Sequence, residues 1–268
     1  MSNLHKLRQV VVCAALVALT VVITARYAMA HDLARYRPGV RNAPAEQRLT
    51  REQLNLIAQS LRAHTGWQSL YFDEDGFLIC PDPQAFSGGS AAARKLLGAA
   101  LTDEAAYELE SHHRSGEVKF GRISAGTEHV DHKTSLKISI RHVQIDFTDF
   151  RQLHGEPLAL RAFDPGIAVL HELAHGVWRL PDARSAADEP GECERYINQI
   201  RRELHLPERQ HYSAGARSRA NRAQLVAELR FIRFREKHGQ LRREHFFLRW
   251  DAELVGALDA TNVTAFMR

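Results

Sequence analysis

The chain has 268 residues, 44% of them hydrophobic and 25% charged, with 36 Lys and Arg against 32 Asp and Glu. This composition excludes a disordered or collagen-like chain and suffices for one large domain or two small ones. The net charge of +4 is mild; a solvated Arg-rich surface accounts for it, and no nucleic-acid partner is expected.

Lys6 and Arg8 precede an uncharged run from Val10 to Thr24, and Ala28-Met29-Ala30 has the small-x-small form of a signal-peptidase site. Residues 1–30 therefore read as a signal peptide or, if Arg26 and Tyr27 lie at the interface, as an uncleaved membrane anchor. The run is shorter than the roughly 20 residues a spanning helix needs. The expected location is periplasmic, secreted, or anchored to the inner membrane. Cys13 falls in this segment, which leaves no disulfide framework; Cys80 and Cys193 could pair in an oxidising compartment, but the favoured reading is two small buried side chains.

Residues 31–49, with Pro38, Gly39 and Pro44, read as a linker, and 50–268 as one domain. Thr50 with Gln53 has the capping-box spacing, and Leu54, Ile57, Ala58 and Leu61 follow at helical intervals, which predicts a helix over 51–64. Tyr71 to Ile79 predicts a hairpin turning at Asp75-Gly76. Ser90 to Ala100 and Asp103 to Ser111 read as short helices. Glu117 to Ile123 and Leu136 to Phe147 alternate as strands, with a phase slip at Arg141-His142 that suggests a bulge. Asp164 and Pro165 start a helix that ends before Pro181, and Pro190 to Leu204 forms another. From about Ala216 to Leu258, Leu225, Val226, Leu229 and Ile232 recur at helical spacing beneath many Arg. This predicts a mostly helical C-terminal part broken at Gly239. Strands followed by helices give an α+β class.

The chemistry concentrates in His171-Glu172-Leu173-Ala174-His175. Two His four residues apart on one helix project from one face, one turn apart, as two imidazole ligands of one zinc require. Glu172 falls about 100° around the helix, beside the metal, where it can act as general base on a zinc-activated water. The pattern alone is of moderate specificity. The apolar stripes Ile167, Leu170, Ala174, Val177 and Val169, Leu173, Leu180 add weight, because a helix apolar on two sides is buried and its polar groups need partners.

A catalytic zinc usually takes three protein ligands. The extended pattern with a third His is absent, since Trp178 and Pro181 stand where its Gly and His would be, and this excludes the metzincin branch. The second helix carries Glu192 and Glu194 on either side of a stripe of Cys193, Ile197, Ile200 and Leu204. Either Glu is a candidate third ligand, with Glu194 slightly preferred and Glu189, Asp182 and Asp188 behind. Here the chain resembles gluzincin zinc peptidases, in which a Glu of a following helix completes the site. Glu194 with Asn198 is similar to the thermolysin-like arrangement of a Glu and a supporting Asp, with an amide replacing the acid.

The run Asn198 to Arg209 also resembles bacterial HExxH metallopeptidase domains, including those of toxins and effectors. The resemblance implies a zincin-like fold with a small twisted sheet, a motif helix and a third-ligand helix. It implies Zn2+ as cofactor and a protein or peptide as substrate. His211 and Tyr212 are the nearest candidates for oxyanion stabilisation but read as surface or packing residues. His112, His113, His129 and His132 fall in polar stretches and read as solvated. The expected function is zinc-dependent hydrolysis of peptide bonds. The alternatives are a zinc amidase acting on cell-wall material and an envelope binding protein with a structural, non-catalytic zinc.

Overall fold

The structure, a computed structural model, describes residues 37–130, 137–218, 225–237 and 239–256. The expected targeting segment 1–30 and His132 lie outside the described residues. Among those described, no helix is long and apolar enough to cross a membrane.

The chain opens with strand β1 (Gly39–Asn42), inside the segment read as a linker, and a single 3-10 turn (Ala45–Gln47). Helix α1 (Arg51–Thr65) starts at Thr50, whose side chain accepts from the Gln53 N–H while Gln53 Oε1 accepts from the Thr50 N–H. It ends at Gly66, held at φ 78°, where a residue without Cβ avoids left-handed strain. The hairpin β2 (Tyr71–Phe72) and β3 (Leu78–Ile79) forms as expected. Helix α2 (Ala91–Thr102) is capped by Ser90.

Strand β4 (Ala106–His112) occupies the segment expected to be helical. Ala, Glu and Leu favour a helix there, but the segment pairs in parallel with β1 on one side and with β6 (Lys137–Asp146) on the other. Pairing on both sides overrides a weak local preference. β5 (Gly121–Val130) then pairs antiparallel with β6, so the first sheet runs β1-β4-β6-β5 with β5 at its edge. The expected bulge in β6 is absent, for β6 is regular and the register shift lies in β5 between Ala125 and Glu128. The phase slip in the sequence marks a change of buried face. Ile138 and Ile140 are buried on one side of β6, Val143 and Ile145 on the other.

Short helices α3 (Phe147–Arg151) and α4 (Pro157–Ala162) flank the two-residue β7 (His154–Gly155) and lead to α5 (Pro165–Trp178), the motif helix. Asp164 Oδ1 accepts from the Ile167 N–H and receives the Ser60 hydroxyl at 2.7 Å, which ties the start of α5 to α1. α5 lies close beneath the sheet: a Cβ at Gly176 would stand 2.4 Å from the Tyr107 ring of β4. Helix α6 (Glu192–Glu203) packs beside it, and Leu54, Ile57, Leu96, Tyr107, Val143, Leu170, Leu173, Cys193 and Ile197 join in one core.

After α6 come β8 (Glu208–Arg209), β9 (Gly215–Ser218), β10 (Leu225–Lys237), β11 (Gln240–Asp251) and the four-residue α7 (Ala252–Val255). The helical C-terminal part expected from spacing is thus corrected to a second, antiparallel sheet, ordered β7-β11-β10-β8 with β9 also on β10. Its buried positions repeat every second residue, with Ala227, Leu229 and Phe231 on β10 and Leu248 and Trp250 on β11. Of the residues at helical spacing, Leu225 and Leu229 share this face, whereas Val226 and Ile232 fall on the other face and are only partly buried. The Phe, Ile and Trp content of both strands suits a pleated, half-buried surface. The second core joins this sheet to the first through Phe120, whose ring meets Phe150, Phe163 and Trp250 edge-on at 5.1 to 5.4 Å. The architecture is α+β.

Candidate metal centre

His171 and His175 project from α5 with ring centroids 4.8 Å apart. Their Nε2 atoms face one carboxylate, that of Asp182, with His171 Nε2 3.2 Å from Oδ1 and His175 Nε2 3.3 Å from Oδ2. Local geometry brings Asp182 back to the helix. Arg179 ends α5 in the left-handed conformation, φ 55°, and its N–H donates to the carbonyls of Ala174 and His175. The chain then reverses, and His175 Nδ1 meets the Leu180 carbonyl. That contact leaves Nε2 as the nitrogen turned towards Asp182. A backbone bridge between Asp182 and Gly191, with the Cys193 N–H donating to the Pro181 carbonyl, fixes the loop against the start of α6.

The two Glu expected as third ligands lie elsewhere. Glu194 is fully buried, and its carboxylate accepts from Arg201 Nη1 on one oxygen and from Arg209 Nη1, at 3.2 Å, on the other. Its nearest approach to the histidines is 3.5 Å, from Oε2 to His171 Nδ1, the nitrogen opposite the one that faces Asp182. Glu192 is exposed at the start of α6 and belongs to no donor cluster among the described residues. Asn198, expected to orient His171, instead accepts from Arg201 Nη1 and the Arg209 N–H, both at 2.8 Å. The structure therefore groups His171, His175 and Asp182 with Cys193, their ligand atoms all within 4.8 Å of one another. Cys193 and Cys80 are both free thiols.

Electrostatics follow the geometry. Burial alone would raise the Asp182 carboxyl, yet its contacts with both histidines outweigh burial and hold it well below the usual range. Burial works against a charged His175, and Asp182 followed by Glu172 pushes it up to about 9. Glu194, opposed by burial, is held down at about 2 by Arg201, Arg209 and His171. Burial raises Glu172, although the adjacent histidines and the Ile123 N–H of β5 favour its charged form. Tyr212 donates its hydroxyl to Asp182 Oδ2 at 2.8 Å and stacks on His171, so it braces the cluster. His211 instead pairs with Glu189 at 2.6 Å and is half-exposed.

Glu172 and His171 open on a cavity of about 330 Å³ walled by Phe120, Phe163, Ile167, Leu229 and Trp250, with Lys119 at its rim. Sequence reading missed Asp182 as a leading ligand candidate and missed the Arg201 and Arg209 counter-ions of Glu194. A Pro-Asp pair directly after the motif helix was the available signal for Asp182. No protein-family model, curated protein or solved structure matches the chain.

Proposed function

We propose that the chain is a zinc-dependent hydrolase of amide bonds, acting on peptide bonds, with His171, His175 and Asp182 as metal ligands and Glu172 as general base. The observation that carries this reading is the convergence of two imidazole Nε2 atoms and one carboxylate beside Glu172, with His171 and Glu172 themselves lining a cavity large enough for a substrate side chain. Two imidazoles and a carboxylate form one of the three-ligand sets that catalytic zinc takes. When bound, zinc lowers the pKa of a water and polarises a carbonyl.

The remaining work belongs to the chain. Glu172, whose neutral form burial favours and whose charged form the two histidines favour, is placed to accept a proton and to return it to the leaving amine. Glu194 faces His171 Nδ1 and favours the tautomer that presents Nε2 as a lone pair. Tyr212 and the Leu180 carbonyl hold Asp182 and His175 in place. β5 is the edge of its sheet and its Ile123 N–H meets Glu172, so an extended peptide laid along β5 would pass the general base. The apolar run Val10 to Thr24 supports an exported or membrane-held location.

Turnover of a casein-type substrate by Glu172→Gln tests the reading. The variant should keep zinc and lose at least about 100-fold in rate, the low end for a general base; unchanged turnover removes Glu172 from that role. One observation favours a second reading, in which Cys193 Sγ, in the same cluster, closes the metal's sphere as a fourth ligand and the ion is structural. Cys193→Ser separates the two, because a structural site loses zinc and a three-ligand site retains it.

A further inference from the structure

A second set of donors lies on the opposite face of the first sheet. Tyr107 and Leu109 of β4 and Val143 and Ile145 of β6 point into the main core, so alternation turns Glu108, Glu110, His142 and Gln144 the other way. Arg41, Glu108 and His142 stand directly in register across β1, β4 and β6, and Glu110 faces Gln144. Glu108 and Glu110 are only 5% and 3% exposed.

Each carboxylate has one oxygen committed to a neighbouring donor. Glu108 Oε1 accepts from Arg41 Nη2 at 2.5 Å, and Glu110 Oε2 accepts from Gln144 Nε2 at 3.2 Å. The other two oxygens are turned towards a single atom, His142 Nδ1, which lies 3.7 Å from Glu108 Oε2 and 2.6 Å from Glu110 Oε1. That nitrogen is nevertheless buried and has no hydrogen bond, because neither oxygen lies along its bonding direction. His112 Nε2, 3.6 Å from Glu110 Oε2, is likewise buried and unbonded. Buried ring nitrogens close to carboxylate oxygens yet not aimed at them are what donors directed at a common third point look like.

The rest of the fold keeps His142 in this pose. The β5 bulge puts Gly126 over the ring, and a Cβ there would stand 2.6 Å from His142 Nε2 and 2.5 Å from the Ile140 carbonyl oxygen. β5 thus closes the Nε2 side and leaves Nδ1 for the carboxylates. Charge points the same way, since Arg41 pairs with Glu108 while Glu110 meets a neutral amide and two imidazoles, and buried charge needs compensation.

We propose that Glu108, Glu110 and His142, with His112 at the margin, form a second metal site for a divalent transition ion such as Zn2+ or Mn2+. Mixed imidazole and carboxylate donors suit that class. Arg41 and Gln144 orient the two carboxylates, as outer groups do around metal ligands. An ion there ties β4 to β6 and so stiffens the sheet whose edge strand meets Glu172.

The test is the zinc content of the full chain after saturation with Zn2+ and gel filtration, with circular dichroism reporting folding. Wild type is expected to hold two equivalents, Glu110→Gln one, and His171→Gln one. Glu110→Gln is nearly isosteric and keeps an amide oxygen for Gln144; should it fail to fold, His142→Gln carries the same expectation. Equal zinc in wild type and in these variants overturns the second site, and so does a wild type whose one equivalent is lost only on His171→Gln. A single equivalent lost only on Glu110→Gln upholds this site and overturns the one proposed on α5. A folded wild type without zinc overturns both.

Discussion

Replacing Glu194 by Gln separates a buried counter-ion from a metal ligand. The Glu194 carboxylate is fully buried and bonded to Arg201, itself 1% exposed, and to Arg209. Gln keeps the shape and an amide oxygen but removes the charge, leaving the buried Arg201 guanidinium with neutral acceptors, among them the Ala162 carbonyl and Asn198 Oδ1. Breaking a buried ion pair by removing one partner costs about 3–5 kcal/mol. For a chain of this size that is a fall of about 6–20 °C in Tm. The pH dependence has a definite sign. Glu194 titrates at about 2 in the native state, below its unfolded value of about 4.3. Its stabilisation is therefore fully present above about pH 5 and is lost as pH falls through 2. Urea melts of the chelator-treated protein should show the full wild-type-to-variant gap at pH 6 and a narrowing gap between pH 5 and 2. A gap under about 1 kcal/mol at pH 6, together with lost zinc binding, would refute the counter-ion assignment and restore Glu194 as a ligand.

Other residues yield further expectations. Tyr212→Phe removes the hydroxyl that holds Asp182 Oδ2, and chelator competition should show zinc affinity lowered by about 10-fold to 100-fold; no change would mean Asp182 is placed by its loop alone. Asp149 is 4% exposed and is raised to about 6, by burial first and then by Asp146. Since its native pKa exceeds the unfolded value of about 3.9, the contribution of Asp149 to stability is greatest below pH 4 and declines by about 3 kcal/mol as pH rises through 6. Asp149→Asn keeps an oxygen for the Phe120 N–H and should abolish that decline; a wild-type slope in the variant would contradict it.

The parts of the fold legible in sequence were those written in local chemistry. Thr50 with Gln53, and Asp164 with Pro165, state two helix starts through side chains that cap their own backbone. The HExxH spacing likewise contains its own geometry, since an α-helix carries residues four apart to one face. What escaped depended on distant partners. β4 is a strand because β1 and β6 flank it, against its own preference. β10 carries two periodicities at once, and its pairing with β11 selects the one with period two. Asp182 reaches the histidines through a left-handed Arg179, a conformation its residue type does not announce. Glu194 lies on the expected helix, but Arg209, fifteen residues on and held by Asn198, takes one of its oxygens.

The most direct measurement is zinc retained by Asp182→Asn. Wild type and the variant, saturated with Zn2+ and dialysed, should differ by one equivalent, and chelator competition should show more than about 100-fold weaker binding at the α5 centre, a loss beyond that of removing a supporting group. Equal retention and affinity in the two proteins would contradict the assignment of His171, His175 and Asp182 as the metal centre.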